Sequence, residues 1–381
     1  GVGGLTLALA LRHQGFQNVI VYEQHSQGWR DETGDQVIEL TANGSRVLHA
    51  LGLEKQLTDA SSIPGFAYLR TRQSGFLLIQ RPLGDFSEAR YGAPTYVIVY
   101  SKLVELLHDA CVERGVHLHY DTRITDLETE IGELTTATGT AENYSAIVIA
   151  DGTAGSLHQI VCAEPAPPES TIHSIRATSH RPSALNAVVT WLDTDGFCIQ
   201  YPTDAEQTDL LFVYLADATG KSSDAAEDLL NNALADSHHH LSDALEGVQT
   251  ANYVESGCPQ VAEFWHAGKA GLLGDACHPL PGYESQGACA AIEDAWVLAV
   301  MMERWEEAPH EGFSDYQRYR RPRMKKMLSG TAEAVAELLA ESGSQQFRRN
   351  LKWSLMNRFL PEMSMAKWDW LYAYNCIKGF A

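Results

Sequence analysis

Hydrophobic and polar positions follow two different rhythms along the chain. Residues 5–12 carry apolar side chains at helical spacing, and residues 18–23 form an apolar, β-rich run. Continuous apolar runs at 144–152 and 271–275 are typical of parallel strands that are buried on both faces. Because such strands alternate with helices in parallel sheets, this first rhythm predicts an α/β unit.

The rhythm changes between residues 165 and 265. Three short runs in this region predict strands: 185–192, 196–202 and 209–215. Residues 224–245 have the pattern of helices, and residues 261–266 lead back to the first rhythm. The pattern therefore predicts a different sheet inserted into the α/β unit.

The chain begins inside a glycine-rich motif. Gly1 and Gly4 precede the first predicted helix and match the second and third glycines of a GxGxxG dinucleotide-binding motif. Such glycines let the backbone approach a pyrophosphate at the helix N-terminus, and Glu23 is placed to accept hydrogen bonds from a ribose. We expect residues upstream of Gly1 to complete the motif. The alternative is a glycine-rich turn before an ordinary helix.

Two later segments suit the same cofactor chemistry. Asp151 ends the run at 144–152, and Asp275 ends the run at 271–275. An acid at a strand end can hold a ribityl hydroxyl. Pro281 and then Gly287-Ala288 precede a predicted helix at 289–299, whose free N–H groups and positive dipole can face the pyrimidine edge of a flavin.

These segments, in this order, resemble the class A flavin monooxygenases related to salicylate and para-hydroxybenzoate hydroxylases. Residues 41–53 and 316–323 resemble further segments of that family, and residues 370–374 resemble the tail of its fungal members. The resemblance implies an α/β fold: a Rossmann-like FAD-binding domain of the glutathione-reductase type, an inserted, mostly antiparallel substrate sheet, and C-terminal helices.

The resemblance also implies a domain organisation in which both domains are discontinuous. The expected FAD-binding segments are 1–75, 99–164 and 266–335. The expected substrate-domain segments are 76–98 and 165–265, and residues 336–381 form a helical tail.

The activity that the resemblance implies is hydroxylation of a phenolic or polyketide-like aromatic molecule, in fungal secondary metabolism. NAD(P)H reduces FAD, and O₂ then gives a flavin C4a-hydroperoxide that attacks the ring. Tyr201 matches a tyrosine that some fungal members place over the substrate, and Arg176 lies near an arginine that can stabilise a phenolate. The alternatives are a packing aromatic for Tyr201 and a solvated cation for Arg176.

Three positions depart from the family pattern. Val37 stands where the family has a glycine close to the flavin, while Tyr100 and His158 replace arginines. Losing a charge-assisted hydrogen bond costs about 1.5–3 kcal/mol. Two alternatives therefore stay open: a non-hydroxylating flavoenzyme of the same fold, and a redox-inactive binding protein. An ordinary NAD-dependent dehydrogenase does not explain the segment around Asp275 and Gly287.

Composition limits the classes of partner that this protein is expected to bind. The formal net charge of −21 argues against a nucleic-acid partner and against docking on anionic lipid. Seven scattered cysteines without CxxC spacing predict a reducing, cytoplasmic location and no metal site. The three histidines at 238–240 predict a solvated polar run. No apolar stretch is long enough to span a membrane. We expect the aromatic residues of the tail to pack on the protein body.

Overall fold

The computed structural model describes most of the chain. The described residues are 1–27, 36–153, 155–162, 172–194, 196–203, 207–215, 230, 233, 236–254, 260–284, 286–339 and 343–379. Their helices are α1 Val2–His13, α2 Ala42–Ala50, α3 Glu54–Ala60, α4 Asp85–Tyr91, α5 Tyr100–Glu113, α6 His158–Val161, α7 His239–Leu245, α8 Gln286–Arg304, α9 Pro309–Leu338, α10 Gly343–Phe359, α11 Pro361–Ala366 and α12 Asp369–Tyr372.

Seventeen strands accompany these helices in the described ranges. They are β1 Ile20–Tyr22, β2 Val37–Leu40, β3 Phe66–Thr71, β4 Leu77–Pro82, β5 Tyr96–Val99, β6 His117–His119, β7 Ile124–Glu128, β8 Glu133–Thr136, β9 Ala141–Asn143, β10 Ile147–Ile149, β11 Ile172–Ser179, β12 Ala187–Leu192, β13 Gly196–Pro202, β14 Thr208–Leu215, β15 Val248–Val254, β16 His266–Ala267 and β17 Ala270–Leu272.

The first predicted rhythm forms the α/β part, so the predicted fold class is confirmed. Strand β1 pairs in parallel with β6, and β10 pairs in parallel with β17. Helix α1 packs on α8 and α5. A Cβ atom on Gly3 would lie 2.7 Å from Leu273 Cδ2, so a glycine at this position lets α1 approach the end of β17 closely.

The second rhythm forms a seven-stranded sheet with the order β15-β11-β14-β13-β12-β3-β4. Its neighbouring strands are antiparallel except for the parallel pair β12–β3. The three predicted strands correspond to β12, β13 and β14. Of the helices predicted at 224–245, α7 lies in the described residues, and 224–229, 231–232 and 234–235 lie outside them.

The hairpin of β3 and β4 bears on the predicted domain division. These two strands pair with each other at the edge of the seven-stranded sheet. The predicted boundary between residues 75 and 76 falls inside the hairpin. Strand β5, in contrast, pairs with β2 next to the α/β part, in a separate two-stranded sheet.

Alternation along the strands buries both faces of the large sheet, since successive side chains point to opposite sides. Val189 and Trp191 belong to the core that includes Leu241 of α7. Val188 and Tyr201 belong to a separate core that includes Trp353 of α10. The C-terminal helices therefore pack on the sheet, which confirms the expected packing of the tail. Among the helices just given, none is both long and apolar enough to cross a membrane.

Candidate functional site

The glycine-rich start of α1 meets two other predicted cofactor-binding residues. A Cβ atom on Gly1 would lie 3.4 Å from Tyr100 Oη, and Glu23 Oε2 lies 3.9 Å from the Gly1 nitrogen. Glu23 follows β1, and its backbone N–H donates to His119 O at 2.8 Å. Gly4 faces β10, where its Cβ would touch Ala150 at 3.6 Å. The structure thus brings Gly1, Glu23 and Tyr100 together at the N-terminus of a helix.

Asp151 lies after the end of β10. Its Oδ2 accepts a hydrogen bond from Leu157 N at 3.2 Å, while its Oδ1 is buried without a partner in the described residues. Burial raises the pKa of this carboxyl, and His158 partly opposes that effect. Gly155 lies so close to Asp151 that any Cβ there would overlap the carboxylate. A buried acceptor without a partner is suited to a ligand hydroxyl.

Asp275 and the start of α8 form the second group. The Asp275 side chain is exposed to solvent, yet surrounding protein desolvates the carboxyl and raises its pKa. Water therefore reaches this carboxyl even though protein surrounds much of it. A Cβ on Gly287 would lie 3.5 Å from Asp275 Oδ1, and Ala288 is half-buried beside it. Pro281 is buried just before α8.

A buried ionic network holds α8 in place. Glu293 accepts hydrogen bonds from Arg320, Arg323 and Asn43 at 2.6–2.7 Å. Asp294 accepts from Arg320 at 2.5 Å and also contacts His278. Burial alone would raise the pKa of Asp294, but His278 and Arg320 lower it to about 2.

This network gives a structural role to the family-like segments 41–53 and 316–323. It joins α8 to α2 and α9, and Arg323 also donates to Leu371 O at 3.1 Å in the tail. The acidic pair of α8 and the arginines of α9 therefore position α8, whose N-terminus lies beside Asp275.

A cavity of about 390 Å³ opens beside that N-terminus. Its walls are one face of the large sheet and the helices α9–α12, and Tyr283 and Gln286 lie at the end near α8. Tyr201 lines this cavity and is 2% exposed. The polar side chains that line it include Glu39 on β2, Arg81 on β4 and Tyr372 on α12.

Arg176 lies behind the cavity rather than in its lining. It donates to Val37 O at 3.0 Å and to Asp209 Oδ2 at 2.6 Å, and it is 8% exposed. Arg176 is therefore a buried, paired cation, which excludes the alternative of a solvated surface residue. The hydrogen bond from its guanidinium to the Val37 carbonyl links the large sheet to β2. Its predicted contact with a phenolate stays a prediction, as do the other site assignments.

Sequence reasoning missed Glu39, Arg81 and Tyr283. One signal for Arg81 was available, because Ile79 and Arg81 are two residues apart on β4 and therefore share a face. Both line the cavity. Among the described residues, no group of three or more His, Cys, Asp or Glu side chains is arranged to hold a metal ion.

Comparisons with known proteins agree with this arrangement. The model of the family described as FAD binding domain matches residues 1–331. The chain is 28% identical to the 3-amino-4-hydroxybenzoate 2-monooxygenase PtmB3 of Streptomyces platensis, over 98% of this chain and 94% of that protein. It is 28% identical to the 6-hydroxynicotinate 3-monooxygenase of Pseudomonas fluorescens, over 86% of this chain and 87% of that protein.

Solved structures show the same fold. The structure of Klebsiella pneumoniae HpxO in complex with FAD and uric acid superposes with a TM-score of 0.79 at 18% identity. The superposition covers 96% of this chain and 94% of that one.

Proposed function

Because this chain belongs to the FAD binding domain family, it is an FAD-dependent monooxygenase, and we propose that it hydroxylates a small aromatic molecule bearing a hydroxyl group. One O₂ and one NAD(P)H are consumed with a proton. One oxygen atom enters the ring, and the other leaves as water. One observation carries the proposal: a largely apolar cavity, large enough for an aromatic ring, opens beside the N-terminus of α8, where Gly287 lies next to Asp275.

The described residues fit FAD. The N-terminus of α1 at Gly1 suits the pyrophosphate, Glu23 suits a ribose, and the unpartnered oxygen of Asp151 suits a hydroxyl. Asp275 would hold the ribityl chain, and the N-terminus of α8 would face the edge of the ring system that becomes anionic on reduction. When bound, FAD accepts a hydride from NAD(P)H and activates O₂.

The cavity residues bind the aromatic ring of the substrate and exclude water. The walls are mostly apolar, and the tail closes one side with Trp353, Trp368 and Trp370. A water-poor site strengthens electrostatic interactions with the ring's hydroxyl group. We assign Tyr201 to a direct contact with the substrate, since it is buried and lines the cavity. Arg176 stabilises that region from behind through Val37.

We also propose that the domain division inferred from the sequence holds in outline, with the hairpin of β3 and β4 assigned to the substrate sheet. The six cysteines in the described ranges are free thiols, which suits the proposed cytoplasmic location.

The test is spectroscopic. The purified protein should show bound, oxidised flavin that bleaches when NAD(P)H is added, and hydroxyaromatic compounds should stimulate NAD(P)H oxidation. The hydroxylated product would be identified by mass spectrometry. A protein that takes up no added FAD would refute the proposal and favour a redox-inactive binding protein. Flavin reduction without product from any phenol would favour a non-hydroxylating flavoenzyme.

A further inference from the structure

Two carboxylates line the cavity from the described part of the chain, and their surroundings differ. Burial would raise the pKa of Glu337 on α9, but its hydrogen bonds from Lys352 and Lys367, each 3.0 Å long, lower it. The carboxylate of Glu39 on β2 accepts no hydrogen bond and forms no ion pair with the described residues. The first carboxylate is therefore engaged with the protein, and the second is available to a ligand.

The fold places Glu39 beside the start of α8. Its backbone carbonyl accepts a hydrogen bond from Cys289 Sγ at 3.7 Å, and Cys289 lies in the first turn of α8. Val37 and Glu39 are two residues apart on β2, so their side chains share one face of the strand. Val37 packs in the core that contains Tyr201. The Glu39 side chain therefore lines the cavity at the end next to α8, where the proposed flavin site lies.

The surroundings of Glu39 suit a proton acceptor. Burial raises the pKa of its carboxyl, and the charge of Arg81 on β4 partly opposes that rise. Tyr372 and Cys289 also interact electrostatically with Glu39, and burial raises the pKa of each to about 12, so both stay neutral near pH 7. A carboxyl whose pKa lies closer to the working pH than usual is a more effective general base than an ordinary one.

We propose that Glu39 is a catalytic base of the hydroxylation and that it accepts the proton of the substrate's hydroxyl group. This inference rests on the proposed function, since it assigns a further residue to the same site. The O–H bond of the substrate breaks and an O–H bond forms on the carboxylate, which leaves an electron-rich phenolate to take up the oxygen atom. The ring carbon that gains the new hydroxyl then releases its own hydrogen to water as a proton. Glu39 returns the first proton to the oxygen that supplied it, so the carboxylate is regenerated.

The experiment measures how the loss of activity in Glu39→Gln depends on the acidity of the substrate. The probes are phenol, 4-chlorophenol and 4-nitrophenol, and the FAD-loaded protein converts them at pH 8 with NAD(P)H and O₂. Phenol keeps its proton at this pH and needs a base, whereas 4-nitrophenol is already ionised. We expect Glu39→Gln to lower kcat/KM about a hundred- to ten-thousandfold for phenol, less for 4-chlorophenol, and less than about threefold for 4-nitrophenol. A purely structural role would lower all three equally.

A binding measurement tests the same contact without turnover. In equilibrium dialysis, FAD-loaded wild type should bind 2-naphthol about ten- to a hundredfold more tightly than 2-methoxynaphthalene, whose ether oxygen has no proton to donate. Glu39→Leu should abolish this preference. Glu39→Gln should keep part of it, because an amide oxygen still accepts a hydrogen bond.

The matched control is Glu128→Gln, which changes an exposed acid on strand β7, outside the cavity. It should leave the dependence on acidity and the preference for 2-naphthol unchanged. Retained FAD shows that each variant is folded. If Glu39→Gln loses FAD, Glu39→Asp decides, because it withdraws the carboxylate by one methylene and should give the same dependence on acidity with a smaller loss for phenol.

Three results would overturn the inference: an equal loss of kcat/KM for all three phenols, no loss for phenol, or a wild type without any preference for 2-naphthol over its methyl ether. If wild type converts none of the three phenols, the binding measurement decides. Hydroxylated product formed alongside any of the three results would leave the proposed function standing while this inference fails. Absence of FAD binding would instead refute the proposed function itself.

Discussion

At the scale of single residues, the candidate site depends on acids held in different environments. Asp151 is half-buried with one buried oxygen that has no partner in the described residues, while Asp275 is exposed to water although protein surrounds its carboxyl. Asp294 is neutralised by His278 and Arg320, so it serves the helix rather than a ligand. The surroundings of each carboxylate, more than its position after a strand, separate the ligand-binding acids from the structural one.

Replacing Asp275 with alanine should weaken FAD binding. The ribityl chain of FAD would lose its hydrogen bond to the carboxylate. That bond is worth about 1.5–3 kcal/mol, or about ten- to a hundredfold in Kd. Fluorescence titration of the apoprotein with FAD measures this change. Asp59→Ala, which removes an exposed acid paired with Lys55, is the control and should leave the Kd unchanged. An unaltered Kd in Asp275→Ala would remove this residue from the cofactor site.

Replacing Tyr201 with phenylalanine tests the proposed substrate contact. Losing one buried hydroxyl contact should lower kcat/KM for the hydroxylated ring by about two- to tenfold, while FAD binding stays the same. Steady-state NAD(P)H oxidation gives the ratio. Tyr214→Phe is a matched control, because Tyr214 belongs to the core on the opposite face of the same sheet. If both variants lost the same activity, Tyr201 would be a packing residue.

At the scale of elements, periodicity predicts the helices and strands but not all of the strand pairings. The apolar run at 144–152 contains β10, the run at 271–275 overlaps β17, and the predicted helix at 289–299 lies within α8. The parallel pairing of β3 with β12 joins segments that are far apart in sequence, and no local pattern encodes such a pairing. The partners of Arg176 also depend on the register of neighbouring strands. For that reason the sequence could not distinguish a buried ion pair from a solvated cation.

The pair of Arg176 and Asp209 makes stability depend on pH. Burial raises the pKa of Asp209 from 3.8 to about 6, against the opposing effect of Arg176. The folded state therefore holds this proton more tightly than the unfolded state, so its contribution to stability is largest below about pH 4 and is lost as the pH rises through 6. From pH 4 to 7, wild type should lose about 2 kcal/mol relative to Asp209→Asn. Urea denaturation of both proteins across this range measures the difference, and parallel pH profiles would contradict it.

At the scale of the whole molecule, the tail joins the two parts of the enzyme. Helices α10–α12 close the cavity over the large sheet, and the same segment is fastened to the α/β part by arginines. Arg46 of α2 donates to Tyr372 O at 3.0 Å and to the carbonyls of Tyr91 and Tyr374. The position of α2 is in turn fixed through Asn43, which donates to Glu293 of α8 at 2.7 Å. The wall of the substrate cavity and α8 are therefore held in place by the same set of hydrogen bonds.

This arrangement predicts that loosening the tail uncouples reductant use from hydroxylation. Arg46→Met leaves three carbonyls without their donor and should let water reach the cavity, so that a larger share of the NAD(P)H oxidised yields hydrogen peroxide instead of product. The tail should also become more sensitive to protease. Arg12→Met is the matched control, because Arg12 likewise donates to backbone carbonyls, those of Arg114, Phe16 and Gln17, but makes no hydrogen bond to the described residues of the tail. Peroxide yield per NAD(P)H measures the effect. Faster tail cleavage with unchanged coupling would show that the tail covers the cavity without protecting the reaction.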